Sequence, residues 1–323
     1  MHKIPVGISA CLLGHEVRYD GAHKYHSYID RTLGQYFEFK AFCPEVEAGL
    51  GIPRPCVQLR ETADGIRCVG VKDHDFDVTE RLQQAAARQQ DWLGDLCGYI
   101  LKKDSPSCGM TRVKVYKHEV PVRQGSGIFA HYLETSFPSL PVEEEGRLGD
   151  PGLRENFIQR VFVLRRWHAL CQQGLSAHGL ISFHSRHKLI AMSHEQNRAR
   201  ELGRIVAGAT DANIAPIAAA YIAALMACLK IVASRGNHVN VLQHIQGYLK
   251  HKLDSDDKQE LVESIENYRL GLLPLIAPLT LLKHHFRREP DAFIDNSFYL
   301  QPHSVELNDK ANTASFLSIP LTL

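Results

Sequence analysis

Three cysteines, Cys11, Cys43 and Cys108, each follow a short apolar run with strand character and stand in the loop that comes after it. Residues 4–10 (IPVGISA) lead into Cys11, residues 37–42 (FEFKAF) into Cys43, and residues 98–101 (GYIL) run through KKDSPS to Cys108. In an open α/β sheet a ligand sits beyond the carboxyl ends of the strands, so the three thiolates are placed to share one site. Soft sulfur donors suit iron-sulfur or zinc, and three ligands rather than four leave one metal position open for chemistry. The competing reading is simple packing, since free cysteine is among the most buried residue types.

The elements that must position them alternate. After residues 37–42 come CPEVEAGLGIPRPC, where glycines and prolines hold an extended path, and a hairpin over residues 57–71 turning at Asp64-Gly65. Asp77 with Glu80 three residues on reads as a capping box opening a helix to about residue 96. A further strand is expected at 112–116 and a helix at 126–136. Residues 138–152 (PSLPVEEEGRLGDPG) concentrate Pro, Gly and acid and read as an interdomain connection. Helical periodicity follows at 154–172, 189–206, 212–233, 237–251 and 256–268, the last capped by Ser255, before Pro274 and Pro278 leave a less regular tail. The expected architecture is an α/β domain over 1–148, with an open and mostly parallel sheet, joined to an all-α domain over 149–323.

With 323 residues, 44% of them hydrophobic, the chain can bury the cores of two domains. Its eight cysteines lack the spacing of a disulfide scaffold, and MHKIPVGISA is not a signal peptide, so the thiols are expected in a reducing cytoplasm. Residues 214–233 are apolar enough to suggest a membrane span, but Pro216, Lys230 and many alanines favour a buried core helix and no membrane. The net charge of +1 divides unevenly: residues 1–150 carry 18 Lys and Arg against 21 Asp and Glu, and residues 151–323 carry 19 against 15.

SACLLG (9–14), VRYDG (17–21), CPEVEAGLGIPR (43–54) and KKDSPSCG (102–109) resemble the thiouracil desulfidase family. FHSRHKLIAMSHE (183–195), LGRIVAG (202–208), HIQGYLKHKL (244–253) and QPHSVEL (301–307) resemble a helical domain of unknown function often fused to it. Chains with this fusion are similar to the bacterial desulfidases that remove 4-thiouridine from tRNA. The resemblance implies a 4Fe-4S cluster on Cys11, Cys43 and Cys108 with one open iron, and the release of uridine and sulfide from thiolated tRNA without net oxidation. A fourth-ligand role for Cys56 stays open.

Within that reading Glu45, two residues past Cys43, is the general base or proton shuttle. Ser105 and Ser107 offer hydroxyls to a pyrimidine edge or to the departing sulfur, and either is the candidate for the family's catalytic serine. Ser9, Arg18, Tyr19, Asp20, Arg54, Lys102 and Lys103 surround the site as substrate-binding candidates, or form a set of loop salt bridges. GMTRVKVY after Cys108 departs from the short glycine-rich continuation of stand-alone desulfidases, which puts free 2-thiouracil in doubt as substrate. In the helical half Arg186, Lys188, Lys250 and Lys252, extended by Arg287 and Arg288, read as a surface for RNA phosphates, with Tyr25, Tyr132 and Tyr248 able to stack on bases. His184, His187 and His194 lack a zinc spacing. A desulfidase of free thiopyrimidines, a cluster-bearing RNA-binding sensor and a zinc hydrolase are the alternatives.

Overall fold

A computed structural model describes residues 3–63 and 65–302 of the chain. Asp64 of the expected hairpin turn and residues 303–307 of the QPHSVEL motif lie outside the described residues. The chain divides into two compact units, Met1–Val161 and Phe162–Leu323.

The first unit carries two four-stranded sheets. One is wholly parallel, in the order β2-β1-β5-β8, from β1 (Ile4–Ser9), β2 (Phe37–Phe42), β5 (Tyr99–Leu101) and β8 (Val142–Glu144). Five of the six β1 residues are buried, as a strand covered on both faces requires. The other sheet, β4-β3-β6-β7, is mixed: β3 (Val57–Thr62) pairs antiparallel with β4 (Gly65–Gly70) and parallel with β6 (Val113–Lys117), which pairs antiparallel with β7 (Val120–Gly125). Leu59, Cys68, Val113 and Val115 from this sheet pack with Val78, Leu82 and Ala85 in one apolar cluster.

The helices of this unit are α1 (Pro44–Glu47), α2 (Thr79–Ala87), α3 (Gln90–Gly94) and α4 (Ile128–Ser136), and α5 (Pro151–Gln173) begins in it. The capping box expected at Asp77 and Glu80 does not form. Asp77 Oδ1 accepts from the Thr79 amide, while Glu80 turns outward to Arg67 at 2.7 Å. The acidic stretch before α5 also differs from a solvated connection. It contains β8, and Glu143, Glu144 and Glu145 are all buried.

The second unit holds the rest of α5 with α6 (Ala177–His194), α7 (Gln196–Ala207), α8 (Ile214–Leu229), α9 (Arg235–Gly247), α10 (Ser255–Leu270), α11 (Ile276–Arg288) and α12 (Ala292–Asn296). The single helix expected over 189–206 is broken at Glu195, whose extended backbone lets its carboxylate accept from the amides of Asn197 and Arg198 and cap α7. Asp254, rather than Ser255, caps α10. Pro278 does not end the helical run, because it falls in the first turn of α11, where its missing N–H has no intrahelical partner to lose.

One stretch among the described residues, Asp211–Leu229, is long and apolar enough to cross a membrane, and one third of it is buried. Tyr221, Leu225, Met226 and Leu229 form a buried stripe, whereas Ala219, Ala223 and Ala227 are exposed, so α8, where a buried core helix is expected, buries one side only.

Candidate active site

Cys11, Cys43 and Cys108 line a single cavity of about 280 Å³ at the carboxyl ends of the parallel strands. Adjacent strands β1 and β2 end in register at Ser9 and Phe42, which sets Cys11 and Cys43 on neighbouring strand ends. Cys11 lies in a short 3-10 turn and Cys43 immediately precedes α1. Cys108 is farther from its strand, β5, and is held differently. The first amides of α4 donate to the loop that carries it, from Ile128 to the Pro106 carbonyl and from Phe129 and Ala130 to that of Ser107. This clasp requires Gly127, since a Cβ there would come within 2.6 Å of the Ser107 carbonyl.

The Cys43 sulfur bears on the other two thiols. Burial pushes Cys11 up to about 11, with the neighbouring Cys43 sulfur adding to the rise. Burial raises Cys43 and Cys108 as well, and Cys43 contributes at Cys108. Two buried thiols and a half-buried one, all raised by desolvation, fit a cationic metal group, which would favour the thiolates. Among the described residues no three His, Cys, Asp or Glu side chains are grouped to hold a single metal ion. Cys11, Cys43 and Cys108 could each offer a thiolate to a polynuclear cluster, whose ligands attach to separate metal atoms.

Glu45 lines the same cavity, and both of its carboxylate oxygens are engaged. Arg54 Nε donates to Oε2 at 2.7 Å and Ser107 Oγ donates to Oε1 at 2.8 Å. Arg54 is itself anchored, its Nη1 and Nη2 donating to the carbonyls of Gly51 and Val17. The two serines have different surroundings. Ser107 is fully buried and does not line the cavity; Ser105 does, with its Oγ accepting from the amides of Ser107 and Cys108. Ser9 Oγ accepts from the Lys102 amide and also bonds Cys108.

The other candidates divide between wall and rim. Arg18, Tyr19 and Lys102 line the cavity, while Asp20 and Lys103 do not. Asp20 pairs with Arg18 at 3.3 Å, and the half-exposed Lys103 side chain lies 3.9 Å from Asp104. Cys56 is exposed and lines the cavity; the remaining cysteines are free and lie elsewhere.

Two residues that sequence reasoning passed over hold the wall in place. Glu145 Oε1 meets Lys102 Nζ at 2.7 Å and its Oε2 accepts from the Lys103 amide, while Glu144 accepts from the Met110 amide on the other side of Cys108. The only signal for them was a run of three glutamates after Pro141-Val142, within what read as a connection.

A family model described as 2-thiouracil desulfurase matches residues 6–145, and one described as protein of unknown function DUF1722 matches residues 188–304. The chain belongs to the 2-thiouracil desulfurase family and carries a DUF1722 domain. It is a desulfidase. It is 36% identical over 148 residues to the uncharacterised protein YbgA of Escherichia coli (strain K12), covering 46% of this chain and 88% of that one. The uncharacterised protein YbbK of Bacillus subtilis (strain 168) is 29% identical over 150 residues, covering 44% of this chain and 97% of that one. A solved 4Fe-4S-dependent thiouracil desulfidase, TudS, is 32% identical, with a TM-score of 0.36, and covers 46% of this chain and 94% of that one.

In the DUF1722 half of the desulfidase, Lys188 and Lys250 are exposed, as are Arg287 and Arg288. Lys252 Nζ donates to the Pro290 carbonyl. Arg186 donates to the Asn296 carbonyl and stacks on Phe298. The three histidines serve separate packing roles: His184 bonds the Tyr221 hydroxyl, His187 stacks on Phe183, and His194 bonds the Ile231 carbonyl. Tyr248 stacks on Phe293 and Tyr132 meets Phe137 edge to face, while Tyr25 is exposed with its hydroxyl on Asp30.

Proposed function

We propose that the desulfidase removes sulfur from 4-thiouridine in tRNA, giving uridine and sulfide, with a 4Fe-4S cluster on Cys11, Cys43 and Cys108. The reading rests on one observation above others: three strand-end thiols and a clamped carboxylate face the same cavity. When bound, the cluster supplies a Lewis-acidic iron with an open position for soft sulfur.

The chain's own residues supply the rest. Glu45 receives a proton from water at a carboxylate oxygen, and the Arg54 and Ser107 bonds fix its direction, so little reorganisation accompanies the transfer. Ser107 is a positioning residue in this scheme. Ser105 presents its hydroxyl to the substrate, since its oxygen already accepts two backbone amides and its O–H remains to be donated. Lys102, tied to Glu145, and Arg18 line the route a ribose phosphate would take.

The alternative is a free thiopyrimidine, favoured by a cavity that holds a single base without the helical unit. The test is turnover of thiolated tRNA against free thiouracil by the native enzyme and by an Arg186→Ala/Lys188→Ala variant. Preference for tRNA, with only that substrate weakened in the variant and with a reduced salt slope, is the expected result. Preference for the free base, or equal loss on both substrates, would overturn the tRNA assignment.

A further inference from the structure

Arg166, in the second unit's part of α5, is a poorly compensated charge. Burial lowers it to about 10, and the charge it feels is that of another cation, Arg186. Its Nη2 donates to the Pro302 carbonyl, but its Nη1 is buried with no partner. No ion pair with a carboxylate is found for Arg166 or Arg186 among the described residues.

Both guanidinium groups stack on one ring, with Cζ of Arg166 at 3.7 Å and Cζ of Arg186 at 4.2 Å from the Phe298 centroid. His187 also packs on that ring, tilted by 43° with centroids 4.8 Å apart. Its Nδ1 bonds the Phe183 carbonyl at 2.7 Å, and its Nε2, on a side chain 1% exposed, has no partner. The ring is fixed in turn, because the Phe298 amide donates to the Arg186 carbonyl. Two cations and an imidazole are therefore gathered around one phenyl ring, with an unused donor and an unused ring nitrogen.

A buried guanidinium without a counter-ion is costly, and the aromatic face offsets only part of that cost. Two independent buried atoms lack partners at the same place, which a packing role for either residue alone does not explain. The missing component is an anion with oxygen acceptors for Arg166 Nη1. A hydroxyl on the same ligand would satisfy the Nε2 lone pair left by an Nδ1–H tautomer of His187.

We propose that Arg166, Arg186 and His187, arranged around Phe298, form a phosphate-binding site in the helical unit. Arg186 is its exposed rim and Arg166 its buried floor. The phosphate is either free hydrogen phosphate, whose P–OH serves the His187 nitrogen, or a phosphodiester of a polynucleotide, which has no P–OH and engages Arg166 Nη1 while a ribose 2′-hydroxyl serves that nitrogen. The site is argued from its own residues, and its second source deepens the tRNA reading above.

The test uses the full-length holoenzyme, with inorganic phosphate titrated against a chloride control at constant ionic strength, and unmodified tRNA added in a second arm. Arg166→Met and Arg186→Met are compared with the native protein, with circular dichroism as the check on folding. Native protein should bind phosphate saturably, and Arg166→Met should bind it about 10- to 100-fold more weakly, the usual worth of a charge-assisted bond. Should Arg166→Met fail to fold, the Arg186→Met variant reads the same site from its rim, with a loss of at least roughly tenfold expected. Displacement of phosphate by tRNA assigns the site to RNA; binding undisturbed by tRNA assigns it to the free ion and leaves the desulfidase reading untouched. If neither phosphate nor tRNA binding changes in a folded Arg166→Met protein, or in Arg186→Met where the first does not fold, the proposal is overturned. An effect of Arg186 alone beside a silent, folded Arg166→Met would also overturn it, leaving only a surface contact.

Discussion

The cavity of the first unit and the Phe298 cluster of the second treat buried charge in opposite ways. In the first, every buried ionic group beside the cavity has its partner within the protein: Glu45 with Arg54 and Ser107, and Lys102 with Glu145. In the second, Arg166 is partly buried and His187 fully buried, and one shielded atom of each is unpartnered. A site that must hold a carboxylate at a fixed angle satisfies it in advance, because reorganisation during proton transfer would cost rate. A site that waits for an external charge leaves its own groups unsatisfied.

The comparison breaks most visibly at the cysteines. Cys43→Ser is expected to take the anaerobically prepared protein from about four irons per chain to nearly none, with loss of visible absorbance. Iron and sulfide counting checks it, and full occupancy in the variant would remove the cluster assignment. Next in size is Glu45→Gln, which should retain iron while turnover falls roughly 10²- to 10⁴-fold, the range of general base catalysis. Single-turnover assays decide this, and a rate within a few-fold of native would mean that water is activated elsewhere. Ser107→Ala should cost less than Glu45→Gln, because it loosens the carboxylate without removing it.

A smaller effect is expected from Glu145→Gln. It keeps an acceptor for the Lys103 amide but discharges the partner of Lys102, and should destabilise the first unit by about 1–3 kcal/mol. Denaturant unfolding followed at Trp92, after Trp167 is replaced by Phe in both proteins, would show whether the loss stays in that unit.

The smallest effect concerns pH. Burial, with Arg166, Arg186 and His184 nearby, lowers His187 to about 3, while its bond to the Phe183 carbonyl acts the other way. The folded state therefore stays unprotonated where an unfolded chain, titrating near 6.5, takes up a proton. Stability contributed by the neutral ring is present above pH 6.5 and is lost as pH falls, by about 1 kcal/mol between pH 6.5 and 5.5 in phosphate-free buffer. His187→Phe should flatten that part of the stability profile. An unchanged slope would show that other groups dominate it.

Several features were legible from residue order alone. The strands before Cys11 and Cys43 announced themselves by short apolar runs ending at loop residues, and their parallel pairing follows from the alternation of strand and helix. Other features were hidden for definite reasons. Strand β8 spans three residues and carries two glutamates, so its sequence resembles a solvated acidic turn. The break at Glu195 is invisible to periodicity, since apolar spacing continues across it and only the backbone angles of one residue interrupt the helix.

The sequence by itself determined which atoms could do chemistry: three soft thiolates at strand ends, a carboxylate two residues from one of them, two serines beside another, and an excess of bases and histidines in the second half. Only the tertiary structure decided how those atoms are used. It set Ser107 on Glu45 from 62 residues away and left Ser105 facing the cavity, a distinction that two serines separated by one proline cannot express locally. It also brought Arg166, His187 and Phe298 together from three separate segments. Burial and hydrogen-bond satisfaction are properties of the packed chain, and they depend on neighbours that sequence order does not name.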